Sequence, residues 1–191
     1  MKIEYFFAPY SAYAYLGNAE LHAIARRTDA EISYRPMDLR AVMTAARSQS
    51  FVERTEAHKD YFFGREMIRW AEHRGLPMMD RIPTHHANDI ALSNCLMIAA
   101  DQAGHDMENL TNTIMPAHWV DDADMDSEED LSAICAKAGL ESGPLLAAAK
   151  TENVQAIYKA NTRNTKLLKN YLEEQLEVEP PPPPFPWKTL I

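Results

Sequence analysis

"FFAPYSAYAYLG", residues 6–17, runs from a short apolar stretch through a turn at Pro9 to a serine followed by tyrosines at positions 13 and 15. Upstream, Ile3 to Phe7 reads as a buried strand. Downstream, Ser11 to Arg27 reads as a helix with apolar positions at Ala14, Gly17, Leu21, Ile24 and Ala25. Glu31 to Met37, "EISYRPM", alternates polar and apolar side chains until Pro36 and supplies a second strand. The three elements form a βαβ unit, and Ser11 stands where its first strand hands over to its helix.

From Asp38 to about Lys150 strand patterns give way to helices punctuated by glycine. These are Phe51 to Arg74 before Gly75, Asn88 to Ala103 before Gly104, Asp106 to Trp119, and Ser127 to Ala138 before Gly139. Leu92, Cys95, Leu96, Ala99, Ala100 and Ala103 make one apolar stripe; Leu131, Ile134, Cys135 and Ala138 make another. Both cysteines are therefore expected in the core. Ser127-Glu128-Glu129-Asp130 loads the first turn of its helix with acid, as a cap rather than a metal site. Met78-Met79 reads as gap-filling apolar surface. Thr151 to about Glu177 is helical in pattern, and Pro180 to Pro184 with Pro186 allows only polyproline II or irregular chain. The expected organisation is an N-terminal βαβ part over 1–45, a helical insertion over 46–150, a returning helix over 151–178 and a Pro-rich tail over 179–191.

The 191 residues are 46% hydrophobic, enough to bury a core, and carry 19 basic against 28 acidic side chains for a net charge of −9. Without a compensating basic cluster, that balance disfavours nucleic acid and anionic membranes as partners. Met1 to Tyr5 leads straight into strand pattern with no apolar leader, so a cytoplasmic protein is expected. Cys95 and Cys135 lie forty residues apart with no Cys-x-x-Cys, which suits a reducing compartment and neither zinc nor disulfide exchange.

A serine at a helix N-terminus first suggests a cap, its hydroxyl oxygen accepting a backbone N–H. The same geometry suits chemistry. The free N–H groups and the dipole stabilise an anion, and a hydroxyl can donate to a thiolate. Tyr13, Tyr15 and Trp119 are candidates for lining or supporting such a pocket, with core packing as the competing reading. His85-His86, with Asn88 and Asp89, sits in a Pro-bounded loop entering a helix and reads as capping and solvated surface, with substrate contact as the competing reading; His58 and His73 read as exposed.

"FFAPYSAYAYLG" followed by "YRPMDLRAV" resembles the start of the 2-hydroxychromene-2-carboxylate isomerases and the related kappa-class glutathione transferases, in the DsbA-like branch of the thioredoxin superfamily. The resemblance continues through "KDYFFGREMIRWAEHRGLP" (59–77), "AHWVDDADMDSEEDL" (117–131) and "GLESGPLLAAA" (139–149), and covers about residues 1–165. It implies an α/β, thioredoxin-like (DsbA-like) fold with a large helical insertion. It also implies a glutathione-dependent isomerase acting on a small-molecule aromatic substrate in aromatic compound degradation. The family's serine falls on Ser11, which would hydrogen-bond the glutathione sulfur and lower its pKa. Ala12 and Tyr13 follow it in the expected glutathione site, and Gln49 or Ser48 stands in for the family's linker asparagine.

Besides the linker asparagine, which has no clear counterpart, three departures accompany the likeness. Ala12 replaces the usual proline, Ala8 replaces an aspartate, and after Asn164 the sequence "TKLLKNYLEEQLEVEPPPPPFPWKTLI" contains no counterpart of the family's cis-proline loop and final strands. The C-terminal half of the thioredoxin unit is thus expected to be divergent or missing, leaving an uncovered sheet edge that a homodimer would cover. The alternatives are a kappa-type transferase, which starts from the same thiolate, and a catalytically inactive DsbA-like scaffold whose prolines bind a partner. A thiol-disulfide oxidoreductase is disfavoured because Ser11 and Ala14 stand where its cysteines would be.

Overall fold

A computed structural model describes residues 1–46 and 54–176, with side chains described as far as Leu167. Gln49, Ser48, the first residues of the expected helix at Phe51 and the Pro-rich tail lie outside the described residues.

β1 (Lys2–Phe7) and β2 (Glu31–Pro36) pair in parallel, with Ile3 opposite Ile32, Tyr5 opposite Tyr34 and Phe7 opposite Pro36. The connecting helix α1 (Ala12–Thr28) is the crossover such a pair requires. On the covered face of the sheet the Tyr5 and Phe7 rings stack at 4.5 Å, and the Tyr34 ring meets both edge-on. Among the described residues the sheet has these two strands.

The buried side of α1 is not the stripe expected from Ala14, Gly17, Leu21 and Ile24. It is Ala12, Tyr15, Leu16, Asn18, His22 and Ala25, and Ile24 is exposed. Two polar residues sit on the inner face because each finds a partner there. Asn18 Nδ2 donates to Asn112 Oδ1 at 2.7 Å and Thr111 Oγ1 at 3.3 Å, and His22 Nε2 meets the Tyr34 hydroxyl at 2.9 Å. Each keeps one buried polar atom without a hydrogen-bond partner, Asn18 Oδ1 and His22 Nδ1, yet the bonds they do make hold them on this face, and periodicity of apolar residues alone does not register such pairing.

The helical block follows as α2 (Leu39–Ala45), α3 (Glu56–Tyr61), a π-helical segment Phe62–Glu66, α4 (Met67–Arg74), α5 (Ala91–Gln102), α6 (Met107–Trp119), α7 (Glu128–Lys137), α8 (Ser142–Ala149) and α9 (Glu152–Leu176). α2 and α8 are additional to the helices expected from the sequence. α5 starts at Ala91 rather than Asn88, with Ile90 as an N-cap that makes no side-chain capping bond, and Asp89 Oδ1 accepts the N–H groups of Ile90 and Ala91 in the turn that leads into it. From Ser93 to Ala100 it is buried all round, packed between β2, α6, α8 and α9, whereas Ala103 at the end of the expected stripe is exposed. Ser127 caps α7 by accepting from the Asp130 N–H, as the acidic run suggested. Leu131, Ile134, Cys135 and Ala138 all point inward. α9 is tied to the end of β2: Asn161 Nδ2 donates to the Pro36 carbonyl, and Thr162 Oγ1 accepts from the Asp38 N–H. No helix among the described residues is long and apolar enough to cross a membrane.

Candidate functional site

The turn at residues 8–11 is fixed from three directions. The Phe7 carbonyl accepts from Met37 N–H at the end of β2, the Ala8 carbonyl from Ser11 N–H, and the Tyr10 carbonyl from the Trp119 indole N–H at 3.0 Å. Trp119, 1% exposed at the end of α6, thus supports the turn from beneath. Ser11 then enters α1 as its N-cap in extended conformation (φ −72°, ψ 125°), its Oγ accepting from the Ala14 N–H at 3.3 Å. Capping occupies a lone pair of the hydroxyl and leaves its proton to donate. The backbone N–H groups of Ala12 and Tyr13, at the positive end of the helix, have no acceptor among the described residues.

Of the other expected residues, Ala12 is buried at the first helical position. Tyr13 is half exposed, its ring edge-on to Phe62 and its hydroxyl donating to Glu66 Oε1 at 2.9 Å. Burial, then the hydrogen bond to and the charge of Glu66, push the Tyr13 phenol up to about 12. Tyr15 points elsewhere. It is buried and donates to the Pro77 carbonyl at 2.6 Å, tying α1 to the loop after α4.

Beside the turn lies a cluster absent from the sequence reading. The Tyr10 ring is 5.0 Å from the His86 ring and carries the Arg40 guanidinium over its face at 5.1 Å; Phe63 and Trp119 flank His86. His86 is therefore no solvated loop residue, whereas its neighbour His85 is exposed beside Asp124. A carbonyl can only accept, so His118 Nδ1 donates to the Ala123 carbonyl at 2.9 Å and its Nε2 accepts from His86 Nδ1–H at 3.0 Å. Burial, with His118 and Arg40 adding to it, lowers His86 to about 3; burial also lowers His118. The two rings form a neutral relay that positions the loop 80–90 against Tyr10. Asp122 holds the far side of that loop, accepting from Arg81 Nη2 and from the Thr84 N–H and hydroxyl. Desolvation opposes its charge, but these hydrogen bonds prevail and keep the carboxyl below its usual range. The "AHWVDDADMDSEEDL" stretch is thus the scaffold behind the turn. Arg54, with its guanidinium 5.1 Å over Phe62, brings a second cation to the Tyr13 rim.

Cys95 and Cys135 are free, wholly buried thiols, and burial raises both, with Asp89 adding to the shift that takes Cys95 to about 11. Among the described residues no group of histidine, cysteine and carboxylate side chains is arranged to hold a metal ion. A cavity of about 500 Å³, lined by His22, Arg26, Tyr34, Asp101 and Glu108 among others, opens beside the other half of α1, about three turns from Ser11.

The family model described as DSBA-like thioredoxin domain matches residues 2–169. Among solved structures, a 2-hydroxychromene-2-carboxylate isomerase superposes with a TM-score of 0.75 at 20% identity, covering 88% of this chain and 81% of that one. The cytosolic disulfide reductase DsbM from Pseudomonas aeruginosa, solved with GSH, superposes with a TM-score of 0.63 at 17% identity, covering 95% and 84%. Identities this low establish the fold, a DsbA-like thioredoxin fold with a helical insertion. Comparison with curated proteins gives no match.

Proposed function

The chain belongs to the DSBA-like thioredoxin domain family, and from that premise we propose that it works in the cytoplasm as a glutathione-dependent isomerase of the 2-hydroxychromene-2-carboxylate type, with Ser11 as the residue that activates the thiol. The observation that carries the reading is the Ser11 N-cap. Its oxygen is engaged by the Ala14 N–H, its proton remains to donate, and two backbone N–H groups without acceptors follow it at the positive end of α1.

This donor set fits a thiolate: one hydroxyl proton, two amide protons and a helix dipole, with the Arg54 guanidinium at the rim for a carboxylate of a peptide-like ligand. When bound, glutathione supplies the thiol whose reversible addition to a conjugated, ring-opened aromatic compound permits rotation about a former double bond. Ser11 donates its proton as a hydrogen bond to the sulfur and is not itself a nucleophile. A hydrogen bond to a charged group contributes about 1.5–3 kcal/mol, which lowers a thiol pKa by about one to two units. Tyr10 and Trp119 hold the serine in place through the backbone carbonyl between them. Disulfide chemistry is not carried over from DsbM, because Ser11 and Ala14 occupy the reactive turn and both cysteines are wholly buried.

Calorimetric titration with glutathione, with an ultraviolet scan of the bound thiol across pH, tests the reading. Binding with a thiolate band near neutral pH supports it; turnover of a ring-opened conjugated carboxylate, as against conjugation to an electrophile, separates isomerase from kappa-type transferase. Absence of glutathione binding overturns it in favour of a scaffold.

A further inference from the structure

Among the described residues β1 has a strand partner on one side only. Glu31 N–H donates to the Met1 carbonyl and Met37 N–H to the Phe7 carbonyl. In a parallel ladder bonding alternates along the strand, so Met1, Ile3, Tyr5 and Phe7 turn their backbone groups to β2 while Lys2, Glu4 and Phe6 turn theirs the opposite way. Those outward N–H and C=O groups have no backbone partner among the described residues. α5 and α9 pack against β2, and β2 is the main neighbour of β1. Lys2 and Glu4 are exposed, and Phe6 is half-buried. Such a row of unpaired backbone groups is a template for another strand.

We propose that this edge pairs with β1 of a second copy of the chain, antiparallel about a two-fold axis at Ile3, so that two two-stranded sheets become one of four strands. Charge sets the register. With Ile3 opposite the second copy's Ile3, Lys2 faces the second copy's Glu4 and Glu4 faces the second copy's Lys2. Both are outward residues, so each pair exchanges two backbone hydrogen bonds and sets opposite charges side by side. Shifting the axis to Glu4 sets two carboxylates against each other. On the covered face the two Ile3 side chains meet as a close, non-hydrogen-bonded pair. The proline run of the chain's own C-terminal segment is a poorer occupant, because Pro180 to Pro184 and Pro186 have no N–H to donate to a ladder.

The test is sedimentation equilibrium of the full chain over a range of concentrations, beside Lys2→Glu, Glu4→Lys and the double exchange. The wild type is expected to be a monomer–dimer equilibrium. Lys2→Glu sets like charges opposite each other at two symmetric positions and is expected to weaken the dimer about tenfold. Glu4→Lys does the same and also removes the ion pair with Arg35, so its comparison with the double exchange isolates the cross-strand term. The double exchange is expected to recover most of the loss. Ile3→Cys is expected to form an intersubunit disulfide under mild oxidation, since the native thiols are buried. A wild type that stays monomeric, or charge reversals without effect on association, overturns the proposal. A monomer whose Lys2 and Glu4 amides are protected from hydrogen exchange assigns the edge to the chain's own C-terminal segment and overturns it as well.

Discussion

Replacing Ser11 tests two physical roles of one hydroxyl, and a set of three variants separates them. Ser11→Ala removes both. Loss of an N-cap that accepts from the Ala14 N–H costs about 1 kcal/mol, which lowers Tm by about 2–4 °C in a chain of this size. Loss of the donated proton raises the bound thiol pKa by about one to two units. Ser11→Asp keeps a strong capping acceptor, so Tm is expected to stay within about 1 °C of wild type. It offers a carboxylate where the thiolate needs a donor, so the thiol pKa rises further than in Ser11→Ala. Ser11→Thr keeps both roles, because the extended backbone at φ −72° and ψ 125° accepts a β-branched residue, and it is expected to match wild type in both readouts. Calorimetric unfolding reads the cap, and the pH dependence of the thiolate absorbance of bound glutathione reads the donor. The reasoning is refuted if Ser11→Asp binds glutathione with an unchanged thiol titration, for then the hydroxyl proton is not what holds the sulfur.

Folding lowers His86 from an ordinary value of 6.5 to about 3, and lowers His118 in the same direction. Across that interval the unfolded chain takes up protons that the folded one refuses. Stability is therefore full above about pH 6.5 and falls by up to about 1.4 kcal/mol per pH unit for His86 as pH drops below it, with His118 contributing in the same direction. Urea unfolding at pH 5.0, 5.5 and 6.0 measures the slope, and His86→Phe is expected to reduce it by about one histidine's share. Cys95 and Cys135 are expected to resist a thiol reagent in the native protein and to react together once it is unfolded in urea, since both are fully buried with raised pKa values. Tyr15→Phe, which leaves the Pro77 carbonyl without its donor, is expected to cost about 1 kcal/mol in urea unfolding without changing glutathione affinity.

The strand–helix–strand start was legible because its signals are local: an apolar run, a turn at Pro9, a capping serine and an alternating second strand. Helix ends were legible where a left-handed residue is required, as at Gly75 with φ 65° and Gly139 with φ 75°. What escaped the sequence is non-local. The buried side of α1 is decided by Thr111 and Asn112 on α6 and by Tyr34 on β2, which give Asn18 and His22 partners. The His86–His118 relay joins residues 32 apart, and no spacing rule connects a loop histidine to one at the end of a later helix. The cap at Ser11 was legible because an N-cap is written in three or four consecutive residues. Arg40 and Arg54, which approach the same turn from the helical block, carry no such signature.

The divergence after Asn164 bears differently on the two ends of β1. At its C-terminal end the Phe7, Ala8 and Tyr10 carbonyls are bonded to β2, to Ser11 itself and to α6, all within residues the family model covers, so the geometry of the serine turn does not depend on further strands. Along the middle of β1 the outward groups of Lys2 and Glu4 gain nothing from those contacts and, among the described residues, have no backbone partner. Thiol activation and association are thus separable by mutation. Lys2→Glu leaves the Ser11 contacts untouched, so it is expected to shift the monomer–dimer equilibrium while the thiolate titration of bound glutathione keeps its wild-type midpoint. A midpoint that moves with the dimer would show that the second copy reaches the serine turn, and the separation argued from the β1 contacts would fail.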